Sequence, residues 1–150
     1  MPTIVIASPK GGAGKSTAAV LLGTELAYAG ASVVMLDCDP NHSLTLWADR
    51  APLPDRINVL SNVTESDIVR TIKQYDTDGQ IVVVDLEGVA SRLVSRAISQ
   101  ADLVITPMRA TTLDATIGVR ALQLIAEEEE ALDRKIPHAV VFTMTKAIRS

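Results

Sequence analysis

Apolar residues follow two alternating rhythms along this chain. Short aliphatic runs at 3–8, 32–37, 57–60, 81–85, 103–106 and 138–143 read as strands. Several have almost no polar alternation, the habit of parallel strands buried on both faces. Between them, apolar residues recur every three or four positions. That spacing predicts helices over 16–29, from Ser43 through Trp47, over 64–75, over 89–100 and over 112–132. In the last of these, Ile117, Ala121, Leu124 and Ile125 are expected to face inward. Gly30 is placed to end the first helix, and Thr64 to cap the third. Asp76-Thr77-Asp78-Gly79 is turn chemistry, and Pro107 is expected to stop the fifth strand. Strand and helix alternate throughout. The expected class is α/β: one domain over 1–150, a parallel sheet covered by helices on both faces.

The chemistry gathers at the ends of three strands. The first strand runs into Ser8-Pro9-Lys10-Gly11-Gly12-Ala13-Gly14-Lys15-Ser16-Thr17, and a helix runs out. Strand, glycine-rich turn and helix start describe a phosphate-binding loop. Glycines let successive backbone N–H groups point at phosphate oxygens, and the helix N-terminus adds partial positive charge. Lys15 supplies a full charge for the outer phosphates, and Ser16 a hydroxyl for Mg²⁺. The common pattern G-x-x-x-x-G-K-[ST] would place glycine where Pro9 stands, and Lys10 is an additional lysine at the front. Asp85 closes the most apolar strand. A carboxylate there either holds Mg²⁺ through a bound water or caps the next helix. Asp37-Cys38-Asp39-Pro40 leaves the second strand with the same two readings, catalytic acids or capping acids. All three groups lie at carboxyl ends of strands, where open α/β sheets bind ligands.

The double-lysine loop resembles the deviant Walker A box of the ParA/MinD family of P-loop ATPases. Asp37-x-Asp39-Pro40 resembles that family's second acidic motif. Asn41–Trp47, the Asp102–Pro107 stretch and Leu113-Asp114 resemble its small plasmid-partition members, and equally the related ATPases that help DNA transfer in plant-associated bacteria. The resemblance spans the whole chain but only the front two-thirds or so of such a protein, so the C-terminal part of the family domain is expected to be missing. It implies ATP and Mg²⁺ as cofactors. Residues 10–17 (Lys10, Gly11, Gly12, Ala13, Gly14, Lys15, Ser16, Thr17) would hold the nucleotide. Ser16, Asp37 and Asp85 would serve the metal, and Asp39 the attacking water. Lys10 would reach the nucleotide of a second copy, making an ATP-sandwich homodimer. The implied output is non-specific DNA binding for plasmid or chromosome partition, with slow hydrolysis stimulated by a DNA-bound ParB-like protein. Alternatives are a DNA-transfer accessory ATPase, a MinD-like membrane-positioning ATPase, and a nucleotide-gated module with negligible turnover. Asn41 departs from the family's usual glutamine, and Leu86-Glu87 from its usual residues after the strand-end aspartate; both bear on turnover.

Composition narrows the picture further. Apolar residues make up 47% and aromatics 3%, so the core is aliphatic. No apolar run approaches the ~20 residues of a membrane span, and no membrane partner is expected. The start has no basic region before its apolar run, and the single Cys38 cannot pair internally, so the expected compartment is the cytoplasm, and the resemblance implies association with the nucleoid. The net charge of −4 means that DNA contact needs a local patch. Arg92, Arg96, Arg109, Arg120, Arg134, Lys135, Lys146 and Arg149 are the candidates. His42 and His138 are too isolated for a metal site, and acids on both sides of Cys38 discourage its thiolate.

Overall fold

The computed structural model describes residues 2–8, 15–87 and 91–143. Within them run β1 (Thr3–Ser8), α1 (Lys15–Tyr28), β2 (Val33–Cys38), α2 (Ser43–Arg50), β3 (Ile57–Leu60) and α3 (Ile68–Thr77). There follow β4 (Ile81–Glu87), α4 (Arg92–Ser99), β5 (Leu103–Arg109), α5 (Thr112–Leu132) and β6 (His138–Thr143). The strands form one sheet in the order β3-β2-β4-β1-β5-β6, every pair parallel.

Successive strand residues point to opposite faces, and each face has its own core. Val5, Val34, Leu36, Val82 and Val84 pack under α3, α4 and α5, meeting Ile68, Ile72, Val94, Ile98 and Ile125. Ile4, Ile6, Val33, Met35 and Val83 pack under α1 and α2, meeting Ala19, Ala27 and Leu44. Each fully buried aliphatic side chain contributes about 1.5–3 kcal/mol, so these two layers hold the sheet flat against its helices. The close approach of α1 depends on Gly23, where a Cβ would lie 2.8 Å from the Met35 sulfur. Gly30 closes α1 in the left-handed region (φ 98°), its N–H donating to Ala27 O and that of Ala31 to Leu26 O.

Several boundaries differ from the pattern-based expectation, four of them for a visible reason. Pro107 does not stop β5, which continues to Arg109 with Pro107 opposite Val141 of β6. Val104 N donates toward β6, to Pro137 O, so alternation turns residue 107's nitrogen toward β1. Register with β1 ends at Ile105, so no ladder bond is lost there. The third helix starts at Ile68, not Thr64. Asp67 Oδ1 accepts the Thr64 N–H at 2.7 Å, and the Thr64 hydroxyl pairs with Ser66, so 64–67 form a separate turn. α4 starts at Arg92 because Ser91 Oγ accepts the Val94 N–H at 3.2 Å; Val89 lies outside the described residues. β4 runs two residues past Asp85, to Glu87, with Leu86 buried in the core. In α5, Ala121 and Ile125 face inward as expected, and the Ile117 side chain lies outside the described residues.

Candidate nucleotide site at the carboxyl ends of β1, β2 and β4

β1 and β4 are neighbours at the centre of the sheet, and the chain leaves them in opposite directions. α1 carries it from β1 to β2 over one face, and α4 carries it from β4 to β5 over the other. The crevice above two strands that part this way is where open α/β sheets bind ligands. The glycine-rich loop follows β1 at this point, and α1 begins with its N-terminal N–H groups there.

Three carboxylates are sunk into this edge: Asp37 is 1% exposed, Asp39 6% and Asp85 0%. Buried charge is costly unless hydrogen-bonded, so the partners decide what each can do. Asp85 sits opposite Ile6 of β1 and Asp37 of β2. Its Oδ2 accepts the Ser16 hydroxyl at 2.9 Å, joining the end of β4 to the first turn of α1. Asp37 accepts three donors: the Asp39 N–H on Oδ1 at 3.3 Å, and the Thr45 N–H and hydroxyl on Oδ2 at 2.9 and 2.6 Å. Asp39 Oδ1 accepts the Asn41 N–H at 2.8 Å, and its carbonyl accepts the His42 N–H at 2.9 Å. The β2–α2 turn is therefore folded around its own two acids.

The structure thus brings Ser16, Asp37, Asp39 and Asp85 to one edge. Thr17 is exposed in the first turn of α1, and Lys15 opens that helix, its side chain outside the described residues. Lys10, Gly11, Gly12, Ala13 and Gly14 lie outside the described residues, so their assignment rests on the motif. Thr45 carries two of the bonds at this edge and was not singled out by the motif. An interaction across eight residues, between a strand end and a helix, follows no local period.

The donor set is all oxygen, a hydroxyl and carboxylates, and suits a hard cation such as Mg²⁺. No cluster of three His, Cys, Asp or Glu poised for a metal occurs among the described residues. Of the candidate basic residues, Arg92 pairs with Glu65 at 3.5 Å and Lys135 with Glu129 at 3.6 Å. Arg134 donates to the carbonyls of Ser99 and Ala101, while Lys146 and Arg149 lie outside the described residues. Among the described residues no helix is long and apolar enough to cross a membrane.

Comparison with known proteins identifies the family and the fold. The family model described as VirC1 protein matches residues 1–149. A protein from Rhizobium radiobacter named ParA is 71% identical over 151 residues, covering 100% of this chain and 68% of that protein. A plasmid partition protein of Borrelia burgdorferi, solved with bound AMPPNP, superposes with a TM-score of 0.72 at 21% identity, over 99% of this chain and 78% of that one. The MinD cell division protein of Aquifex aeolicus superposes with a TM-score of 0.75 at 23% identity, over 97% and 70%. The six-stranded parallel sheet is therefore the P-loop fold of the ParA/MinD ATPases, and the chain belongs to the VirC1 family within that group.

Proposed function

We propose that this chain binds ATP with Mg²⁺ at the edge of β1, β2 and β4, hydrolyses it slowly, and uses the nucleotide to control a homodimer that holds DNA. The observation that carries the reading is the bond from Ser16 to Asp85, directly beside Asp37 and directly after the double-lysine loop. Ser16 would offer the cation its hydroxyl, and Asp85 and Asp37 would hold its water shell. When bound, the cation would neutralise phosphate charge and fix the outer phosphates in place.

The chain's own groups would do the rest. The backbone of Gly11 to Gly14 and the N-terminus of α1 would bind phosphate oxygens, with Lys15 on the outer ones. Asp39, folded over the β2–α2 turn, would orient a water for in-line attack on the terminal phosphorus. The bond from that phosphorus to the bridging oxygen breaks, and ADP leaves with the electron pair. Lys10 would act across the dimer, stabilising charge on the transferring group as an arginine finger does. Dimer and nucleotide state are then one switch, and a DNA-bound stimulating protein would reset it.

A second reading is an accessory ATPase of DNA transfer, which Asn41–Trp47, Asp102–Pro107 and Leu113-Asp114 resemble equally. It shares every residue role above and differs in the partner. The test for both is binding to random-sequence duplex DNA at two salt concentrations, with ATP, ADP or no nucleotide, beside Lys10→Ala. The expected result is binding with ATP only, falling steeply with salt and lost in the variant. Equal binding with ADP overturns the switch.

A further inference from the structure

α2 lacks the usual side-chain cap at its start. His42 stands at the N-cap position in the left-handed region (φ 51°) and makes no side-chain cap bond. The N–H of the third helical residue, Thr45, would ordinarily be satisfied by that cap. It is satisfied instead by Asp37, from the end of β2 eight residues earlier. The Thr45 hydroxyl adds a second, shorter bond to the same oxygen.

An ionised carboxylate has about four lone-pair positions, two on each oxygen. Thr45 occupies both on Oδ2. Oδ1 carries one long bond, from the Asp39 N–H. The carboxylate therefore has one oxygen committed to α2 and one turned over to the β2–α2 turn. A backbone N–H alone would leave Oδ2 a second direction. A β-branched threonine, stiff about χ1 and anchored beside the fully buried Leu44, removes that freedom.

We infer that Thr45 is a positioning residue: through its hydroxyl it fixes the Asp37 carboxylate that would serve the water shell of the nucleotide's cation. This rests on the proposed function, which assigns a cation to that edge. Groups that orient metal-serving carboxylates set affinity for the metal as well as rate. Thr45 would do so without touching nucleotide or metal.

The test titrates Mn²⁺ into the ADP-loaded chain, following bound ion by electron paramagnetic resonance, for wild type, Thr45→Val and Thr45→Ser. Thermal melts and metal-free ADP affinity are measured alongside. Thr45→Val keeps the backbone N–H and the shape but lacks the hydroxyl. It is expected to weaken Mn²⁺ binding about tenfold, with metal-free ADP affinity unchanged, and Thr45→Ser is expected to restore it. If Thr45→Val does not fold, Thr45→Ala is read the same way, because the backbone bond remains. A folded variant that binds Mn²⁺ as wild type does overturns the inference alone, and reduces Thr45 to a helix-capping role. A wild-type chain that binds no ADP, or no Mn²⁺ beside it, overturns the proposed function and the inference with it.

Discussion

Asp85 and Asp37 are register partners on adjacent strands, equally buried, yet they are held in different ways. Asp85 accepts the hydroxyl of Ser16, a residue of the phosphate-loop motif that a bound cation would claim. Asp37 accepts three donors from its own turn and from α2, none of them from the motif. One carboxylate accepts a hydroxyl of the phosphate-loop motif, a bond that a cation could replace. The other is tied to the scaffold by bonds that the fold needs in any state. Neighbouring acids at one strand edge can thus divide the tasks unequally, Asp85 bonded to the motif and Asp37 holding the frame of the β2–α2 turn as well as facing the same edge.

The largest effect should come from Asp85. Asp85→Asn keeps the shape but removes the charge facing the cation, and ATP hydrolysis should fall about a hundredfold, measured as phosphate release at saturating Mg²⁺. Asp37→Asn should divide its loss differently. An amide nitrogen in the place of Oδ2 would meet the two Thr45 donors, so the fold should lose about 1–3 kcal/mol in urea melts, and the folded fraction should need more Mg²⁺ for half-maximal hydrolysis because the lost charge would serve the cation's water shell. If Asp85→Asn is the less stable and Asp37→Asn the less active, the division of tasks is reversed.

Smaller changes sharpen the contrast. Ser16→Ala removes one hydroxyl bond and should cost about 1 kcal/mol of stability, while shifting the Mg²⁺ concentration needed for half-maximal hydrolysis upward. Ser91→Ala deletes the cap of α4, whose bond is to the Val94 N–H and to neither acid. It should lower stability by about 1 kcal/mol in the same melts and leave the Mg²⁺ dependence unchanged.

Much of this was legible before any coordinates. Ile81-Val82-Val83-Val84-Asp85 reads as a buried parallel strand because nothing in it tolerates water until its last residues. The alternation of such runs with helical spacing leaves few topologies open. The acids fell at strand ends, and strand ends in parallel sheets share one side. What could not be read depended on which partner each group finds in the fold. Pro107 looked like a stop, but its effect depends on which neighbour its nitrogen faces, and that side carries no register pair past Ile105. Thr64 looked like a cap because its hydroxyl was counted without Asp67, which turns back to its amide. Thr45 lies in the Asn41–Trp47 stretch that carries the resemblance, but its bond to Asp37 is not readable there because the partner lies on a strand. Lys10 to Gly14 lie outside the described residues, so the loop's role rests on residue types and spacing.

The most direct measurement is equilibrium binding of ATP to the wild-type chain, by calorimetry, with and without Mg²⁺. If the edge of β1, β2 and β4 is a nucleotide site completed by a cation, ATP should bind at one site per chain and at least about tenfold more tightly with Mg²⁺ present. ATP binding that ignores Mg²⁺, or no binding at all, would contradict it.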